Sequence, residues 1–147
     1  MKRLALMALL GVAACSSRPP APPPPITRVE LRLMPGTGRA WVSFDSSGAA
    51  RGGSVSGESP PRMHVDTDTI PADSVRALFG AARALGDTLL ARRGPPADSA
   101  RTGTATLVVG FSDGTQAQFV WMAASQPIDP RVQAVLQHVV ANRIGGW

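Results

Sequence analysis

Tyrosine is absent from this chain, aromatic residues make up 5% of it, and cysteine and lysine each occur once. Each scarcity closes a class of function. The sole cysteine, Cys15, has no partner within the chain, so no disulfide framework holds the fold. The basic charge is almost wholly arginine and is scattered, with Arg92-Arg93 the one adjacent pair beyond the N-terminal residues. A basic tract with interleaved aromatics is missing, which argues against nucleic acid as a partner. No Gly-x-Ser-x-Gly elbow occurs, and no Gly-Lys-Ser/Thr follows Gly36-Thr37-Gly38, so neither a nucleophile turn nor a phosphate loop is present. The N-terminal apolar run is well short of the ~20 residues that span a bilayer.

What is present begins at the N-terminus. Lys2 and Arg3 make a basic start, Leu4 to Leu10 an apolar stretch, and Val12-Ala13-Ala14-Cys15 a small-residue close. That order is the order of an export signal. Its last four residues resemble the lipobox of bacterial lipoprotein precursors, with valine where leucine is commonest. An ordinary Ala-x-Ala cleavage site would leave the lone cysteine unexplained, and an unpaired thiol is a liability in an exported protein. The resemblance implies a signal peptide over residues 1–14, diacylglyceryl transfer to the Cys15 thiol, cleavage before it, and acylation of the new amino group. It also implies that Ser16 and Ser17, in a two-membrane cell, direct the chain to the periplasmic face of the outer membrane. More than one acyl chain gives stable anchoring, at ~0.8 kcal/mol per buried methylene.

Residues 15–25 then form the lipidated cysteine and its tether. Arg18 to Pro25 is almost entirely proline, which enters neither helix interiors nor central strands. As extended polyproline at ~3.1 Å per residue, residues 16–25 make a stalk of roughly 30 Å. Losing Lys2 and Arg3 with the signal leaves thirteen basic against ten acidic residues, so the net charge falls from +5 to +3.

Residues 26–147 are one domain's worth of chain, long enough to bury a core unaided. Ile26 to Met34 alternates, with Val29, Leu31 and Leu33 on one face and Arg28, Glu30 and Arg32 on the other. This predicts a strand with one wet face. Ala40–Phe44 reads as a second strand, Ala49–Val55 as a weaker third and Met63–Val65 as a short addition. From Pro71, apolar residues at spacings of three and four (Val75, Leu78, Phe79, Ala82, Leu85, Leu89) predict one helix that runs to Gly94-Pro95-Pro96. Asp113-Gly114 between two β-rich runs predicts a hairpin. Asp129-Pro130 predicts an N-cap followed by proline at the first helical position, opening a second helix whose buried stripe is Val132, Val135, Leu136, Val139 and Val140. The order ββ(β)α-ββα gives an α+β two-layer sandwich: four or five antiparallel strands with both helices on one face. Element order alone resembles small exported bacterial domains of unassigned function and implies no activity.

Few residues invite chemistry. His64, Asp66 and Asp68 alternate, so an extended backbone places all three on one side as candidate ligands for a divalent cation. The competing reading makes Asp66 to Thr69 a polar lead-in that offers capping oxygens to the helix. Most other acids sit at turns or helix starts, and no catalytic residue or cofactor is assigned. The more informative feature is a surface. With Val42 and Phe44 facing the helices, Trp41 faces the other way, beside Arg28 and Arg32. Trp and Arg are the residue types that anchor interfaces, although arginine stems lying over the indole would serve as structural cover. Of Phe119 with Trp121 and Val120 with Met122, one pair must stay outside the core. These features point to a lipid-anchored interaction or accessory module that meets another envelope protein. The alternatives are a small-ligand-binding or enzyme-inhibitor module and, more remotely, a metal-assisted hydrolase centred on His64.

Overall fold

A computed structural model describes residues 21–97, 101–127 and 129–144. The residues read as a signal, Cys15, and most of those read as a tether therefore lie outside the described residues. The described residues form seven strands and three helices. These are β1 (Ile26–Leu33), β2 (Arg39–Asp45), β3 (Ala49–Val55), β4 (Met63–Thr69), α1 (Ala72–Arg83), α2 (Gly86–Ala91), β5 (Arg93–Gly94), β6 (Thr104–Phe111), β7 (Gln116–Met122) and α3 (Pro130–Ala141). All strands join one antiparallel sheet in the order β4-β3-β2-β1-β6-β7-β5.

The alternation of β1 sets the faces. Val29 and Leu31 are buried in the core with Val42 and Phe44 of β2, Leu107 and Val109 of β6, and Ala117 and Phe119 of β7. α1 supplies Leu78, Phe79 and Ala82, and α3 supplies Val132, Val135 and Val139. Arg28, Glu30 and Arg32 point to the opposite side. They pair with Asp45, Ser43 and Trp41 on β2 and with Gly110, Val108 and Thr106 on β6.

The expected sandwich of four or five strands and two helices is corrected on three counts. First, β4 runs the whole length of β3, in unbroken register from Val55↔Met63 to Ala49↔Thr69. Asp66 to Thr69 are therefore strand and not a lead-in to the helix. Backbone pairing makes this strand, because neither of its faces is buried. Second, the helix after Pro71 is interrupted. Gly86 has φ +54°, left-handed backbone that glycine adopts without a Cβ clash, so α1 stops at Arg83 and α2 starts anew. Third, Arg93 and Gly94 add a two-residue strand beside β7.

Other local expectations match. The β6–β7 turn closes with Gly114 at φ +82°, and the Phe111 amide donates to the Thr115 carbonyl at 2.9 Å. Asp129 caps α3 by accepting from the Arg131 amide at 2.9 Å, with Pro130 next. In α3 the buried stripe omits Val140, which is 55% exposed.

Two turn carboxylates are held below their ordinary range. Asp45 accepts from the Ser47 hydroxyl and from the Ser47 and Ala49 amides. Asp113 accepts from the Thr115 hydroxyl and amide, with the Arg93 guanidinium beside it. A depressed folded pKa means that the stabilisation is present above the unfolded value and is lost as pH falls through the folded one. The double variant Asp45→Asn, Asp113→Asn is expected to be less stable at neutral pH and to lose less stability below about pH 4; thermal melts from neutral into acid pH read this. Leu107 is fully buried at the centre of the sheet. Leu107→Ala is expected to cost about 2–5 kcal/mol in urea unfolding, with the m-value unchanged.

Candidate functional site

The sheet face away from the helices divides into two halves. On the β6–β7 half Pro96 and Ala97, just after β5, lie over the sheet. The Gln118 side chain donates to the Ala97 carbonyl at 2.6 Å, and Thr106, Val108 and Gln116 are buried there although they point away from the helices. Pro96 and Ala97 face Arg28, Arg32, Gly110 and Gln116 across a concavity of about 580 Å³.

Between the halves runs the charged side of β1. Glu30 is 8% exposed, accepts from Arg32 Nε at 2.5 Å and lies 3.6 Å from Arg28 Nε. A carboxylate this shielded is held by its paired cations. Two guanidiniums to one carboxylate leave the ridge net positive. Gly110 stands opposite Arg28, and a Cβ there would be in ordinary contact with the arginine, 3.4 Å from its Cβ.

The β2–β4 half is more open. Cross-strand register sets Arg32, Trp41, Gly53 and Val65 in one row, and Arg39, Val55 and Met63 in the next. Arg51 stands opposite Ser43 on one side and Thr67 on the other. The result is an apolar group (Trp41, Val55, Met63 and Val65) rimmed by Arg32, Arg39 and Arg51. Met63 is 70% and Val65 39% exposed, whereas Trp41 is half-buried.

The floor under Trp41 is a glycine. A Cβ on Gly53 would fall 2.6 Å from two indole ring carbons and 2.6 Å from the His64 carbonyl oxygen. The bare backbone thus lets the ring lie close across β3. The cation–π contacts found among the described residues are at the opposite edge: Arg92 over Phe119 at 5.1 Å and Arg93 over Phe111 at 5.5 Å. In the sequence Gly52-Gly53 reads only as a weak strand; no sequence signal places Gly53 under Trp41, since that depends on the β2–β3 register. Phe119 and Trp121 take the helix side, leaving Val120 and Met122 exposed on the other.

The structure therefore brings Arg28, Arg32 and Trp41 together on one face. It does not assemble His64, Asp66 and Asp68. All three lie on one side of β4, and His64 Nε2 is 2.9 Å from an Asp66 oxygen. The Asp68 carboxylate instead accepts from the Thr69 amide at 2.7 Å. Among the described residues no group of three or more His, Cys, Asp or Glu side chains could hold a metal ion. Cys15 lies outside the described residues. No helix among them is long and apolar enough to cross a membrane. The chain matches no protein-family model and no curated protein.

The Trp41–Gly53 contact predicts a coupling. Gly53→Ala is expected to destabilise the fold by about 1–3 kcal/mol through overpacking. In a Trp41→Ala background the penalty is expected to shrink by at least about 0.5 kcal/mol, leaving the contact with the His64 carbonyl. A double-mutant cycle by chemical denaturation measures it; independent penalties would show that the ring does not rest on Gly53.

Proposed function

We propose that this chain is a lipid-anchored interaction module of the cell envelope, carried on acyl chains at Cys15 and binding another envelope protein through the β2–β4 half of its open face. One observation carries the reading: an apolar group of Trp41, Val55, Met63 and Val65 is left at the surface and rimmed by Arg32, Arg39 and Arg51. Exposed apolar patches with a polar rim mark interaction sites, and Trp and Arg contribute more than their share of binding energy. The excess of guanidinium groups suits a partner surface that offers carboxylates.

The N-terminal residues supply the location. The basic, apolar, small-residue order ending at Cys15 supports export and lipidation, and Ser16-Ser17 support the outer membrane, facing the periplasm. The proline run supports a stalk that holds the domain clear of the lipid. A role in binding accounts for the face without requiring a reactive group on it.

In-cell crosslinking, detergent extraction and mass spectrometry test the proposal on the native chain, on Cys15→Ala, and on two face variants, Trp41→Ala and Arg39→Glu with Arg51→Glu. A fatty-acyl label is expected on the native chain and not on Cys15→Ala. One reproducible envelope partner is expected with the native chain and is lost in both face variants while their thermal unfolding stays cooperative. Capture that persists undiminished in both variants would overturn the face assignment. An unlabelled Cys15 would overturn the anchor.

A further inference from the structure

The two edges of the sheet are built differently. One ends in β5, two residues long, which is a blunted edge. The other ends in β4, seven residues paired to β3 without a register break. Long, regular edge strands are templates for further pairing unless proline, a bulge or an inward charge interrupts them. β4 has no proline and no bulge between Met63 and Thr69, but Asp66 and Asp68 lie on the side of the sheet that carries the helices, in register with Gly52 and Ala50, so only a strand that neutralises these carboxylates suits this edge.

The hydrogen-bond phase of β4 is fixed at both ends. The Ser56 amide donates to the Arg62 carbonyl and the Ile70 amide to the Gly48 carbonyl, each at 2.9 Å. Even-numbered residues thus turn their peptide groups toward β3. Met63, Val65, Thr67 and Thr69 turn theirs outward, as antiparallel alternation requires. Among the described residues the amides and carbonyls of Met63, Val65 and Thr67 have no strand on this outer side, and they stand in the spacing that another antiparallel strand would take; the Thr69 amide is bonded to the Asp68 carboxylate.

We propose that the occupant of this edge is a second copy of the same chain, paired antiparallel across a two-fold axis at Val65 so that the two sheets become one. The charges select this partner and this register. With the axis at Val65, His64 faces the partner's Asp66, Arg62 faces the partner's Asp68, Met63 faces the partner's Thr67, and Val65 meets the partner's Val65. Every outward amide and carbonyl from Met63 to Thr67 then finds a complement, and no two like charges stand opposite each other. The neighbouring registers are worse. An axis at Asp66 sets two Asp66 carboxylates face to face. An axis at Thr67 opposes Asp66 to the partner's Asp68 twice. An axis at His64 sets the two His64 rings face to face and brings Pro61, which has no amide proton, opposite the partner's Thr67; the Val65 axis moves Pro61 to the end of the ladder, opposite the partner's Thr69, whose amide is already bonded to Asp68. Like charges directly across a strand pair destabilise it, and opposite charges support it.

The pairing stands on the geometry of the edge alone and does not depend on the reading of the open face. It has a consequence for that face: because a two-fold axis perpendicular to the sheet keeps the faces on their own sides, Met63 and Val65 of both copies would lie in one continuous strip. Strand pairing alone buries little area, and anchoring both copies to one membrane would raise their effective concentration.

Register-specific crosslinking tests this on the full chain in vesicles of phosphatidylethanolamine and phosphatidylglycerol. Cα atoms across such a pair lie ~4.5–5.5 Å apart, within disulfide reach. Under mild oxidation Val65→Cys is expected to give a dimer in which Cys at 65 is linked to its own counterpart, identified by mass spectrometry of the linked peptide. Mixed Met63→Cys and Thr67→Cys chains are expected to crosslink to each other, and Thr67→Cys alone is not. Equal crosslinking of Thr67→Cys with itself, or no 65–65 linkage at any surface density, would overturn the proposal. Val65→Pro supplies a second readout. It removes an amide proton that points away from β3, so the monomer is expected to keep its fold. Sedimentation of the full chain in detergent is expected to change from dimer to monomer; a dimer unchanged by Val65→Pro would exclude the β4 edge.

Discussion

The fold depends on the pairing of β1 with two strands from distant parts of the sequence. β2 reaches it through a short turn, whereas β6 arrives only after the chain has built β2 to β4, α1, α2 and β5. Through β1 the β2–β4 half and the β6–β7–β5 half become one sheet with one core. Its alternation must serve both neighbours at once. A slip of one residue against either would turn Arg28, Glu30 and Arg32 into the core and Val29 and Leu31 out of it. Long-range closure of this kind is slow to form, because loop entropy is lost before the contacts reward it.

The same strand separates two surfaces of different character. Beyond β6 the chain covers its own sheet, burying Thr106, Val108 and Gln116. Beyond β2 it leaves Met63 and Val65 uncovered and lays Trp41 close over Gly53. Arg28, Glu30 and Arg32 form the boundary, a cationic ridge fixed in place by its central carboxylate. The proposed interaction face is therefore rigid where it meets the ridge, which limits the ordering cost of binding there.

Much of this was legible in the residues, for identifiable reasons. β1, β2 and the β6–β7 hairpin announce themselves because one face of each is buried and the turns need particular residues. Asp129-Pro130 announces the start of α3 by chemistry that works locally. Where these signals fail, the cause is physical. β4 has no buried face, so its sequence carries no hydrophobic period; only β3 makes it a strand. Gly86 breaks a helix whose apolar spacing continues through it to Leu89. Val140 continues the stripe of α3 but stays exposed, lining an open concavity with Leu33, Ala105 and Trp121 instead of packing into the core. For the candidate site, Trp41, Arg28 and Arg32 were assigned to one face by parity alone. Gly53, the bare backbone beneath Trp41, was invisible because its meaning depends on cross-strand register. His64, Asp66 and Asp68 share a side, as alternation requires, but Asp68 is drawn to the neighbouring amide instead of to the other two.

The entry of the chain into β1 also has a mechanical meaning. Ile26 follows directly on the proline run, and the Pro25 carbonyl is held by the Ser112 amide at 2.9 Å. Tension arriving through the residues before Ile26 acts along the axis of the central strand. If the domain is gripped at β2–β4, that tension passes across the β1–β2 ladder in shear, so its hydrogen bonds bear the load together; tension on an edge strand pulled sideways would open them one at a time. A domain attached by its middle strand is suited to hold while being pulled.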